Sequence, residues 1–197
     1  VWIGCQGGKY ILHHPITQKT SFEVLKEAEN ATIRYITGAK NNTIFIGTQR
    51  GHLIRYSNGE FRTLHKFNTI IRKILVDNEG LLWVATEGAG LFCLSEDGSQ
   101  IITEYSTETT NRRLFVNFAN DLEQLNDSII LCAAGAINFI NKKSKTVKWL
   151  TADEGLPGNT VMRMRRDNFG YIWMITKNGL CRYNPTNQRI TSYGRKD

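Results

Sequence analysis

Few side chains in this 197-residue chain have types and spacings suited to chemistry. Asp77 and Asp167 stand in matching contexts, Asp-Asn-Glu-Gly and Asp-Asn-Phe-Gly, and can be read as an acid/base pair. Glycoside hydrolysis needs two carboxyl groups converging at a defined separation, and matching contexts argue instead for the same structural turn used twice. His13 and His14 are adjacent, and neighbours on a strand point to opposite faces, which does not suit one metal ion. His52 and His65 are isolated in the sequence. Cys5, Cys93, Cys132 and Cys181 form no Cys-x-x-Cys and each falls in an apolar strand segment, so buried free thiols are expected rather than a disulfide framework. The chain has no Gly-x-Ser-x-Gly, phosphate-binding loop, dinucleotide fingerprint or sialidase Asp-box. No catalytic residue, metal or cofactor is therefore expected.

What remains is binding chemistry. Gln49, Arg50, Arg112, Arg113, Lys177 and Asn178 are polar residues that interrupt an otherwise repetitive pattern, and arginine takes carboxylate or sulfate groups through paired hydrogen bonds. Trp149, on an outer strand, is an aromatic that breaks the repeat and a further contact candidate. The net charge of +7 permits anionic partners, but the basic residues are scattered. The run from Arg163 to Arg166 alternates, with Arg163 and Arg165 on one face and Met162 and Met164 on the other, as in an ordinary strand. No nucleic-acid surface is expected.

The elements that must position these residues repeat. Five short apolar strands align on Trp2, Phe45, Trp83, Leu131 and Trp173, which are 43, 38, 48 and 42 residues apart. That period, with four short strands per unit, is the spacing of β-propeller blades. Two repeats carry full turn chemistry before the anchor, Asp77 with Gly80 and Asp167 with Gly170. Glycine reaches positive φ without steric cost, and the aspartate can cap local N–H groups. The repeats at Phe45 and Leu131 lose that pair, so their turns should be looser or of another type. A more polar, alternating strand ends each unit and suits an outer strand with one wet face. No helix is convincing; Phe22–Glu29 reads as strand plus loop. The expected fold is all-β, one propeller segment over 1–197 with repeats near 1–28, 29–66, 67–108, 109–152 and 153–197. Its first blade lacks a first strand, and further blades are expected on either side in a larger ring. The longest repeat spacing leaves room for a polar insertion at Ser106–Arg113.

The runs Thr151-Ala-Asp-Glu-Gly-Leu-Pro-Gly-Asn-Thr-Val161, Asp167-Asn-Phe-Gly-Tyr-Ile-Trp173 and Asn178-Gly-Leu-Cys-Arg-Tyr-Asn-Pro-Thr186 resemble the two-component regulator propeller repeat. Tyr193-Gly-Arg-Lys-Asp197 resembles the start of the next inter-repeat linker. Such repeats build the periplasmic sensor regions of Bacteroidetes hybrid two-component systems. The resemblance implies a non-enzymatic sensing segment for an oligosaccharide, with a membrane span and histidine kinase elsewhere in the parent protein. It also admits a homodimer, and makes the rest of the propeller and the downstream sensor domains the segment's partners. A scaffold for another protein, or a propeller lyase or hydrolase, are the alternatives. An exposed apolar patch would favour the first and a converging His and carboxylate cluster the second.

Overall fold

A computed structural model of the chain describes residues 1–194; Arg195–Asp197, assigned above to the start of a linker, lie outside the described residues. Nineteen strands among them pair with their chain neighbours in five sheets. The first sheet has three strands, β1 (Trp2–Gly4), β2 (Lys9–His14) and β3 (Lys19–Val24). The second holds β4 (Ile33–Gly38), β5 (Ile44–Thr48), β6 (His52–Ser57) and β7 (Glu60–Lys66), and the third β8 (Ile71–Val76), β9 (Leu82–Thr86), β10 (Leu91–Leu94) and β11 (Ile101–Tyr105). The fourth holds β12 (Asp121–Gln124), β13 (Ile129–Ala134), β14 (Ala136–Asn141) and β15 (Val147–Leu150). The fifth holds β16 (Val161–Arg166), β17 (Ile172–Thr176), β18 (Gly179–Asn184) and β19 (Arg189–Tyr193). These are propeller blades. The segment after β3 forms a single 3₁₀ turn, Lys26–Ala28, in place of a longer helix.

The turn aspartates do more than cap their own loop. Asp77 Oδ1 accepts the N–H groups of Glu79 and Leu81, both at 2.9 Å, and Oδ2 accepts Trp83 Nε1 at 3.0 Å. Asp167 repeats the pattern, taking Phe169 N at 2.9 Å, Tyr171 N at 3.0 Å and Trp173 Nε1 at 2.8 Å. Gly80 and Gly170 supply the left-handed backbone inside these turns, at φ 91° and 85°. Where the pair is missing the turn chemistry changes. Asn41 and Asn42 both take φ 56° before β5, and Asn126 Oδ1 accepts Ser128 N and Ile129 N before β13. Asparagine tolerates the left-handed region and makes the same local bonds, which explains how the degenerate repeats still turn.

Three of the first strands carry a bulge, between Ile33 and Tyr35, Ile71 and Lys73, and Val161 and Arg163. The bulge in β16 corrects the simple alternation expected there: Met162 is exposed with Arg163, while Met164 is buried. The thiols need a smaller correction. All four are free, but Cys5 lies just past β1 and is only half-buried, whereas Cys93, Cys132 and Cys181 are buried in strands.

The chain falls into two compact units, Val1–Glu87 with Phe92–Thr103, and Gly88–Leu91 with the chain from Glu104 onward. In the first unit, Phe45, Leu53, Ile71, Ile74, Leu82, Val84 and Leu94 form one buried cluster, and Tyr10, Leu25, Ile33, Ile46 and Ile54 belong to another. In the second, Leu131, Ala133, Ile137, Val161, Met164 and Met174 are buried together. A small residue two places after the anchor lets neighbouring sheets approach. A Cβ on Gly47 would lie 2.5 Å from Ile71 Cγ2, and one on Gly4 would strike Ile33. Gly47→Ala is accordingly expected to destabilise the protein by about 1–3 kcal/mol through overpacking, and Ile71→Ala, which removes Cγ2, to cost less on that background than in the unaltered protein. Urea unfolding midpoints measure both; an unchanged midpoint for Gly47→Ala would show that the sheets separate freely.

Candidate functional site

The polar insertion between β11 and β12 is a structured loop. Ser106 and Arg113 form an isolated parallel bridge, and Leu114 N donates to Ser106 O at 3.0 Å. Thr109 Oγ1 lies within bonding distance of the carbonyl oxygens of Ser106 (3.0 Å) and Arg112 (2.8 Å). Asn117 closes the loop from its far end. Its Oδ1 accepts Thr107 N at 2.7 Å, and its backbone carbonyl accepts the N–H groups of Gly88 and Gly90 at 3.1 and 3.0 Å. The Thr107 hydroxyl above all, with Ser106 and the Asn117 amide, holds the Glu108 carboxyl down at about 2.

Asn138 seats this loop on the fourth sheet. It is fully buried; its Nδ2 faces the carbonyl oxygens of Cys132, Ala134 and Ala136 at 3.1–3.2 Å, and its Oδ1 accepts Phe115 N at 2.9 Å. Trp149 is the cross-strand partner of Asn138 and lies on the same face of the sheet. Its Nε1 donates to Arg113 O at 3.1 Å, and its ring meets Phe115 edge to face at 5.5 Å and 83°. Trp149 stays 42 % exposed and Phe115 37 %. An aromatic pair held by two backbone hydrogen bonds is thus offered to solvent beside Arg113.

The six polar loop residues singled out by sequence meet different ends. Arg50 donates to Glu29 O at 3.1 Å, and Gln49 accepts from Arg34 at 3.2 Å while its N–H bonds Thr32 O, so both tie down the segment between β3 and β4. Asn178 donates to Pro157 O at 2.6 Å and, through its N–H, to Thr176 Oγ1. Arg112 Nε donates to Glu104 O at 3.0 Å. Lys177 and Arg113 are exposed, and among the described residues neither side chain makes a hydrogen bond or ion pair. No hydrogen bond among the described residues joins the three pairs to one another. Of the histidines isolated in the sequence, His52 has its buried ring 3.5 Å from Glu29, which also pairs with Lys66.

Sequence reasoning reached Arg113 and Trp149 separately but not their contact, and it missed Asn117 and Asn138. The polar residue in the apolar run Ala136-Ile-Asn-Phe-Ile140 was the legible signal for Asn138.

No protein-family model and no curated protein matches the chain. Solved structures do. The extracellular domain of BT4673 from Bacteroides thetaiotaomicron, described as a hybrid two component system, superposes with a TM-score of 0.78 at 20% identity, over 99% of this chain and 29% of that one. That of BT3049 from the same organism gives 0.74 at 18%, over 98% and 30%. BamB from Moraxella catarrhalis gives 0.68 at 14%, over 98% and 61%. These likenesses establish the β-propeller fold, and the chain spans about 30% of the length of the two Bacteroides domains.

Ionised Glu108 is what the Thr107 and Asn117 bonds favour. Its lowered pKa means that the ordering it gives is complete above the ordinary carboxyl range and is lost as pH falls toward 2. Amide protection, taken relative to the intrinsic exchange rate at each pH, should therefore fall at Thr107 and Leu114 between about pH 4.5 and pH 2, without matching change in β13 and β14. A loop equally protected at both pH values would contradict the assignment.

Proposed function

We propose that this chain is a ligand-sensing propeller segment from the periplasmic region of a hybrid two-component sensor, and that its ligand is an oligosaccharide carrying carboxylate or sulfate groups. The observation that carries the reading is the unpaired, exposed Arg113 beside the fixed Trp149–Phe115 pair. An aromatic face suits the C–H face of a sugar ring, and a guanidinium suits its acidic substituent. The net charge of +7 favours the same class of ligand. The likeness to extracellular domains of two-component proteins supports the sensing role. The histidine kinase, the membrane span and any dimer belong to other parts of the parent protein in this reading.

A second reading has its own observation. Ile3, Phe22 and Val24 share one face of the first sheet, and all three are exposed. Such a face fits a further blade or a partner protein, and a scaffolding role would use it.

Calorimetry against oligogalacturonates and sulfated oligosaccharides separates the two. Arg113→Ala should weaken binding of the acidic sugar by about tenfold or more, Arg112→Ala by less, because Arg112 is already engaged with Glu104 O. Binding that ignores Arg113→Ala would move the site elsewhere on the propeller, and silence across the panel would favour the scaffold.

A further inference from the structure

An open cavity of about 510 Å³ lies between the fourth and fifth sheets, and its lining includes Phe139, Tyr183, Lys148, Glu154, Thr146 and Gln188. The corresponding gap between the first and second sheets is filled with rings. Trp2 stacks on Tyr10 at 5.0 Å, Tyr56 lies 5.1 Å from Trp2, and Phe61 lies 4.7 Å from Tyr56. Strand register identifies the counterparts. Tyr56 faces Phe61 across the last two strands of its sheet, as Tyr183 faces Ile190, and Leu131 occupies the anchor place of Trp2. Leu131 is also the one anchor of the five that is not aromatic. Three rings of the filled gap, Trp2, Tyr10 and Phe61, thus have aliphatic counterparts, Leu131, Ile137 and Ile190. Phe139 and Tyr183, edge to face at 5.7 Å, form the apolar wall.

We infer that this cavity is a second binding site, for one or two pyranose units of an uncharged sugar. Its size lies in the range of small-molecule pockets, and an apolar wall with a few polar groups at the rim is the usual composition of such sites. A pyranose matches that division, with a C–H face for Phe139 and hydroxyl groups for Thr146 and Gln188. The rim carries one charge of each sign, Lys148 and Glu154, so it gives no net preference for an anion. Glu154 is also turned toward its own backbone, accepting Thr151 N at 2.7 Å. Trp149 borders this cavity, but its ring packs on Phe115 on the face of the sheet opposite Phe139 and Lys148, so the two sites are separate. The inference rests on the glycan-sensing reading but not on Arg113.

The test is calorimetry on the full chain with cellobiose, maltose and xylobiose as neutral probes and digalacturonate as the acidic one. Phe139→Leu keeps the cavity wall apolar while removing the ring, and Lys148→Ala alters only an exposed rim residue; unchanged unfolding midpoints confirm both folds. One neutral disaccharide should bind, lose about tenfold or more in both variants, and be indifferent to Arg113→Ala. Neutral binding that survives both cavity variants would overturn the inference, as would digalacturonate binding without any neutral binding; in the second case the sensor reading stands. Failure of all four sugars would overturn the inference, and only silence of the sulfated oligosaccharides as well would remove the sensor reading.

Discussion

A carboxylate that ties a tight turn to a tryptophan six residues ahead is the interaction on which the best-formed blades depend. One oxygen of Asp77 fixes the loop through the N–H groups of Glu79 and Leu81, and the other fixes the indole of Trp83. The turn and the blade's largest buried side chain are thereby placed by a single group. A buried indole N–H without an acceptor costs about 1–3 kcal/mol, so the carboxylate also makes it possible to use tryptophan, rather than phenylalanine or leucine, as the anchor. Where the aspartate is absent the anchor is Phe45 or Leu131, neither of which has an N–H to satisfy. Trp2, in the three-stranded sheet, has no such carboxylate bond among the described residues; it is only half-buried and packs against Tyr10, Tyr56 and Phe61.

That coupling between turn and anchor has consequences for binding. The Asp turns and Gly47-type close contacts hold strands and neighbouring sheets in place, which leaves the loops after the second and fourth strands of each blade free to vary. Most of that variation is spent on structure. Arg50, Gln49 and Asn178 fasten connecting segments to their own unit, and Arg112 returns to Glu104. Where the chain gains residues, between Ser106 and Asn117, it builds a surface with both aromatic area and an uncommitted cation. The cleft bordered by Phe139 and Tyr183 lies in the same compact unit as this insertion.

The fold was legible because its signal is repeated. Five anchors at a near-constant period specify blades even when individual turns have decayed, and the apolar strands follow from that register. The bulge at Met162 was not legible, since an inserted residue leaves no mark in a six-residue strand of alternating Met and Arg. The indole bond to Asp77 escaped for a related reason: the spacing was visible, but only the turned backbone brings Oδ2 within 3.0 Å of Trp83 Nε1. For the loop between β11 and β12, composition and length pointed to Arg112 and Arg113 without separating them. Their difference lies in a main-chain acceptor, Glu104 O, and the seat provided by Asn138 comes from another strand altogether.

The most direct test of this account is a double-mutant cycle between Asp77→Asn and Trp83→Phe, with unfolding free energies read from urea titrations. Asparagine keeps an oxygen for the turn, and phenylalanine keeps the apolar ring while removing the N–H. The account predicts a coupling of about 1.5–3 kcal/mol, the size of a buried hydrogen bond to a charged group. Additive effects, with coupling near zero, would show that the carboxylate shapes the turn alone and that packing by itself places the anchor.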